Sequence, residues 1–304
     1  MWQNMLLKSV EQGLVFGIMA LGVYITLKIL NFADLTVDGS FPLGAAVAAS
    51  LIISGHSPFT ATAAAILAGA LAGLITGILN TGAKISELLS GILTMTSLYS
   101  INLRIMGRPN IPLLNEPTIF TSLQEFVKVQ FPVFPLEYIY LVTFLLFAGA
   151  IELMLVLFLK TQLGLSLRAT GDNPQMIRSQ GVNTNVTKII GLCISNALIA
   201  LSGAIVAQYQ GFADVGMGIG TIIAGLASVI IGDALLGERS ILTSTLGVIL
   251  GSILYRFSIS LVLSFRLAQA SDLKLLTAVV VVIALTIPRF KNFMRGSIIP
   301  SERG

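Results

Sequence analysis

The side chains able to do chemistry are few and unevenly placed. The sequence holds one histidine, His56, and one cysteine, Cys193, so they can supply neither a zinc tetrad nor an internal disulfide. His56 lies beside Pro58 with no acid near it in sequence to make it a general base. There is no G-x-x-x-x-G-K-[ST] loop to cradle a nucleotide phosphate and no H-E-x-x-H. The chain is therefore read as a non-enzyme with no cofactor or metal of its own. What remains is a polar, turn-rich run, LGLSLRATGDNPQMIRSQGVNTNVTK (Leu163–Lys188), and a set of hydroxyl and amide side chains at Thr94, Thr96, Ser97, Ser100 and Asn102. The first is chemistry for docking a protein. The second suits either a polar path or hydrogen bonds between helices.

The polar run has the grammar of a short helix. Asn173 can cap it through its side-chain oxygen, Pro174 suits the first turn, and Gly181 tolerates the left-handed exit. This predicts a helix of about two turns over Asn173–Gln180, with Met176, Ile177 and Arg178 on it. A connector that only fixes topology needs charge but has no need of such caps.

The elements that position these groups are membrane spans. The chain is 55% hydrophobic and 11% charged, with a mean hydropathy of +0.91; soluble domains carry about 25% charged residues. The net charge of +4 is modest, and no nucleic-acid partner is expected. Apolar runs predict nine spans: Val10–Leu30, Phe41–Ser54, Phe59–Leu79, Leu88–Met106, Tyr138–Leu159, Ile189–Tyr209, Ile219–Leu236, Ile241–Leu263 and Leu273–Ile287. Met1–Ser9 reads as a short interfacial head, and Glu11 and Lys28 as end charges that snorkel. The second run is short, so Asn31–Ser40 before it reads as a broken helix, tolerated only against protein or a wet cavity. Asn31, Asp34 and Asp38 there could line a polar mouth, or Asp38 could cap its helix. Asp34, Asp38, Glu87, Asp214, Asp233 and Asp272 fall at predicted span ends, which argues against ion coupling.

Lys160, Arg168, Arg178 and Lys188 in one loop, and Arg289, Lys291, Arg295 and Arg303 in the tail, place both in the cytoplasm. Counting back puts the N-terminus and the Gly107–Glu137 loop, with an amphipathic helix at Ile119–Val129, outside. The parts are then residues 9–106, an external loop 107–137, a linking span 138–159, a cytoplasmic loop 160–188, residues 189–288 and a basic tail 289–304.

A repeat underlies this order. NFADLTVDGS at Asn31 is echoed by GFADVGMGIG at Gly211, a spacing of 180, and ASLIISG at Ala49 by ASVIIGD at Ala227, a spacing of 178. At that spacing Gly69 and Gly73 meet Gly247 and Gly251. Gly69, Gly73 and Gly77 lie on one helix face and permit close packing. With an odd span between them, two four-helix halves are inverted in the membrane, a common plan for transporters. The fold class is therefore an all-α polytopic membrane protein of about nine helices, with two inverted four-helix repeats around a linking span.

The Leu163–Ile205 segment resembles the cytoplasmic segment of ABC-importer permeases of the branched-chain amino-acid and ribose type. The matching positions are Arg168, Ala169, Gly171, Asn173, Gly181, Val182 and Lys188, with Ser202, Gly203 and Ala204 beyond them and Asp34–Val37 upstream. The resemblance implies that the loop, Asp172 included, is a coupling helix docked in a groove of an ATPase subunit. It also implies two cytosolic ATPases carrying ATP and Mg, a second permease copy, an extracytoplasmic binding protein, and a place in the bacterial inner membrane among lipid. Two departures stand out. Asp233 replaces the second glycine of the family's V-x-x-G-G ending, and the extra N-terminal span of ribose-type members is missing. The second points toward an amino acid as the solute, an aromatic one included, with sugar or nucleoside as alternatives. An ion-coupled secondary carrier is the competing mechanism.

Overall fold

A computed structural model describes residues 2–130, 138–237 and 240–264, and the helical positions Val279, Val282 and Thr286. The predicted ninth span and basic tail, including Asp272, lie almost wholly outside the described residues. Helix α1 (Trp2–Tyr24) continues into a π-helical turn, Ile25–Ile29. Then come α2 (Val37–Ile53), α3 (Pro58–Thr81), α4 (Glu87–Met106), β1 (Asn110–Pro112), α5 (Ile119–Gln130), α6 (Ile139–Lys160), α7 (Gln162–Asp172) and α8 (Pro174–Ser179). The remainder is α9 (Thr184–Gln210), β2 (Phe212–Asp214), a 3-10 turn (Val215–Gly218), α10 (Thr221–Leu236) and α11 (Ile241–Ser264).

Among the described residues six helices are long and apolar enough to cross a membrane: Met5–Ile29, Pro58–Thr81, Ile139–Lys160, Thr184–Gln210, Val215–Leu236 and Ile241–Val262. α2 is a shorter apolar helix, completed by the irregular backbone of residues 30–36. α4 is as long as a span, but its hydroxyls, Asn102 and Arg104 keep it out of the apolar set. Among the described residues six of the nine expected spans are thus met by length and hydropathy, and the ninth lies outside those residues. Residues 2–9 of the expected head are instead the first turns of α1.

α2 and α9 form the centre. Their small residues let backbones touch: a Cβ on Gly44 would overlap the Ala200 carbonyl, and one on Gly203 that of Phe41. Gly69, Gly73 and Gly77 press α3 onto α9 in the same way, opposite Asn196, Leu192 and Ile189. Gly247 and Gly251 face α10 at Gly232 and Ser228. Ser195 donates to the Gly22 carbonyl and Ser202 to that of Val15, both at 2.7–2.8 Å, tying α9 to α1. With no water to compete, such bonds and close packing are what hold apolar helices together.

α3 lies on α9, and α11 lies on α1. One end of the bundle gathers the π turn, the α3–α4 turn, α7, α8 and the α10–α11 turn. There Lys28 pairs with Asp233 at 2.8 Å and Lys188 with Glu87 at 2.9 Å. The opposite end holds the antiparallel β1–β2 pair and α5.

Candidate functional site

At the charged end, α8 is built as its residues dictate. The Asn173 oxygen accepts from the N–H groups of Gln175 (3.2 Å) and Met176 (3.0 Å), Pro174 takes the first turn, and Gly181 exits at φ +88°. Ile177 is buried and anchors the helix, while Met176 and Arg178 are exposed. The expected short helix is present as α8, and a second helix that was not expected precedes it. Arg168, Ala169, Gly171 and Asp172 belong to α7, because Thr161 caps a separate helix there. Gly171 has no room for a side chain: a Cβ would strike the Ile29 carbonyl, so it seats α7 on the π turn rather than facing outward. Thr170 and Thr187 share a hydroxyl bond of 2.9 Å that ties α7 to α9. π-helical turns recur at functional sites.

The second feature is a pair of breaks. Asn31 (φ +51°) and Gly211 (φ +78°) take the left-handed conformation at matching places in the repeat. In each half the following Phe-Ala-Asp ends in the same turn: Asp34 Oδ1 accepts from Thr36 N, and Asp214 Oδ1 from Gly216 N. Asp38 does not cap its own helix. It reaches across to the start of α10, accepting from Gly220 N (3.0 Å), Thr221 Oγ1 (3.0 Å) and Ile222 N (2.9 Å), where a carboxylate complements the positive end of a helix.

The expected path residues separate. Asp34 is buried and receives Asn196 Nδ2 at 2.8 Å. Thr94 is buried in a hydroxyl chain with Thr76 (3.0 Å), which meets Thr36 at 2.8 Å. The polar atoms of both are taken up by bonds within the bundle. Asn31 is exposed at the end of the π turn. Thr96, Ser97 and Ser100 are exposed on the outer face of α4, each hydroxyl of the first two donating to its own helix at position i−4. Thr96, Ser100 and Asn102 line a cleft of about 370 Å³ with Asp38, Gly39, Pro42, Met95, Tyr99, Val215 and Ile219.

Sequence reasoning missed several ionisable side chains held inside the bundle, Glu11 and Glu152 buried and Arg256 half-buried. Glu11 does not snorkel; it is 4% exposed and accepts from the Tyr209 hydroxyl at 2.7 Å, inside an aromatic group with Phe120, Tyr140 and Phe144. Glu152 is buried against Thr245, and Arg256 stacks 3.4 Å over the Phe16 ring. Acids are therefore not confined to helix ends. Their partners lie 93 to 198 positions away, beyond any local pattern. The Lys28–Asp233 pair did have a signal, opposite charges at the ends of two predicted spans.

The family of branched-chain amino acid transport system permease components matches residues 5–286. The chain belongs to that family. It is the permease component of an ABC importer, a transport subunit of a family that works with ATPase subunits and binding proteins, and a multi-pass protein of the inner membrane. A Tyrosine transport system permease protein of Clostridioides difficile (strain R20291) is 47% identical to this permease over 277 residues, covering 91% of this chain and 89% of that one. An uncharacterised protein of Rickettsia prowazekii (strain Madrid E) is 36% identical over 287 residues, 93% and 97% of the two chains. A ribose import permease protein of Haemophilus influenzae is 24% identical over 257 residues, 83% and 75%. The solved structure of PsaBC from Streptococcus pneumoniae in complex with Fab superposes with a TM-score of 0.51 at 18% identity, over 93% of this chain and 90% of that one. That likeness concerns the fold alone.

Proposed function

We propose that this permease imports an amino acid, an aromatic one such as tyrosine, and that two copies meet across the polar face of α4. The α8 helix carries the reading. It is capped at both ends, anchored by Ile177 and presented at the charged end of the bundle, as a surface that transmits the movement of an ATPase must be. Two cytosolic ATPases dock there and hold the ATP and Mg; this chain binds no cofactor. The outward residues Met176 and Arg178 meet the ATPase, while Arg168, Ala169, Gly171 and Asp172 brace them from α7. Lys28, Lys84, Arg168, Arg178 and Lys188 gather at this end, which supports reading it as cytoplasmic. The N-terminus of α1 then lies outside, where a binding protein delivers the solute, and the C-terminus lies inside.

The choice of an amino acid rests on the 47% identity to the tyrosine permease against 24% for the ribose permease. The dimer rests on α4, whose exposed Thr96, Ser97, Ser100 and Arg104 are ill suited to lipid and suit a path shared by two copies. The test is co-purification of the ATPase from detergent with the native chain and with Asn173→Ala plus Arg178→Glu. Loss of the ATPase from the double variant alone is expected. An ATPase that stays bound to a folded double variant would remove α8 from the interface.

A further inference from the structure

We propose that the basic pocket beside α8 holds the phosphate of an anionic phospholipid. The site goes beyond transport and coupling, and it does not depend on what α8 docks against.

Three basic side chains from three segments meet there. Lys84 comes from the α3–α4 turn, Arg178 from α8 and Lys188 from the first turns of α9. With Asn80, Thr81 and Asn183 they border an opening of about 540 Å³. None of the described residues that border it is acidic. Glu87 lies outside the lining and takes one share of Lys188 at 2.9 Å. Among the described residues Lys84 and Arg178 have no carboxylate partner, so positive charge is left over. Arg178 is turned toward the pocket by the bond its Nε donates to the Thr184 hydroxyl at the start of α9. The rest of the polar lining is amide and hydroxyl, able to donate to phosphate oxygens. The 27-residue α9 also begins here, and its positive end favours an anion.

The backbone presents one of these charges on purpose. Lys84 sits at φ +56°, in the left-handed region where glycine is the cheaper residue. The turn that holds it is kept shut by Asn80, whose Nδ2 donates to the Ile85 carbonyl at 2.9 Å. Strain of this kind is retained where the side chain is used.

The surroundings select a lipid over a soluble anion. α3 is one of the spans, and its outward face carries Leu67, Leu71, Ile75 and Ile78, all exposed. That stripe runs about 16 Å along the axis, close to one leaflet of a hydrocarbon core about 30 Å thick. It ends three positions before Thr81, at the rim of the pocket. Val186, next to the pocket on α9, is exposed as well. An acyl chain lying on this stripe brings its phosphate to the level of Lys84 and Lys188. Basic pockets between spans at the membrane surface suit such headgroups.

The test is native mass spectrometry of the full-length permease released from detergent, alone and with its ATPase, titrated with phosphatidylglycerol or with phosphatidylcholine. Phosphatidylglycerol is expected to bind in preference. Lys84→Gln is expected to weaken it about fivefold, the share of one basic side chain near an anionic membrane surface. Lys84→Arg, which keeps the charge, is expected to restore it. Lys160→Gln removes the same charge from the exposed end of α6, outside the pocket, and is expected to leave binding unchanged. An equal loss with Lys160→Gln, or equal binding of phosphatidylcholine, means diffuse attraction and overturns the site. Inorganic phosphate in excess is expected to leave the lipid in place; displacement by it means that the pocket takes a free phosphate, and the lipid is struck out. Lipid expelled when the ATPase binds gives the pocket to the ATPase interface, which also overturns the inference while leaving the docking of α8 intact.

Discussion

The two broken segments, Asn31–Thr36 and Gly211–Gly220, are one motif used twice to different ends. Both open on a left-handed residue and close on an aspartate that caps its own turn. In the first half the second oxygen of Asp34 is sealed inside the bundle against Asn196. In the second half the second oxygen of Asp214 meets Asn110 on the exposed β pair. The asymmetry continues four residues on. Asp38 carries a carboxylate across to α10, while its repeat counterpart, Gly218, has no side chain because a Cβ there would overlap the Asp38 carbonyl and Pro42. Local backbone grammar is copied between halves, and the connection between halves is made by the position where they differ.

Substitutions can break this comparison. Asp34→Ala should do the most harm, because it strands the buried donors of Thr36 and Asn196, on the order of 3 kcal/mol in total. Asp214→Ala, on the half-buried copy, should cost less, about 1 kcal/mol. Thermal loss of monodisperse protein in detergent measures both, and equal losses would end the claim that burial separates the two turns. Next comes Asp38→Ala, which uncaps α10 and should cost about 1–2 kcal/mol. Hydrogen exchange should quicken at Gly220 and Ile222 while α3 stays protected; unchanged exchange there would mean the cap is idle. The smallest effects are at the left-handed positions. Gly211→Val should cost about 1–2 kcal/mol, whereas Asn31→Gly should stay within about 0.5 kcal/mol. A neutral Gly211→Val would show that the second turn can relax.

What could be read from sequence follows the range of the interaction. The caps of α8 involve neighbours within a few positions, so Asn173, Pro174 and Gly181 announce them. The Phe-Ala-Asp turns are as local, and their recurrence revealed the repeat. The amphipathic helix expected at Ile119–Val129 is present as Ile119–Gln130. The destinations of Asp38 and Glu11 were not legible. Their partners lie 182 and 198 positions away, on apolar helices whose compositions are alike, and only packing decides which of them meet. α4 was half legible. Its polar residues were evident, but helical spacing alone did not tell that Thr94 and Asn102 turn inward while Ser97 turns out. α7 was hidden because its polar, low-hydropathy sequence reads as a connector.

The π turn at Ile25–Ile29 has a mechanical meaning. Its bonds run from Leu30 N to Ile25 O and from Phe32 N to Thr26 O, a wider winding than the helix before it. Gly171 brings the backbone of α7 against Ile29, and Lys28 clips the same turn to α10. Any load applied at α8 is thus handed, with no flexible side chain between, to a loosely coiled spring at the foot of α1, and that spring is fastened to the opposite half of the protein.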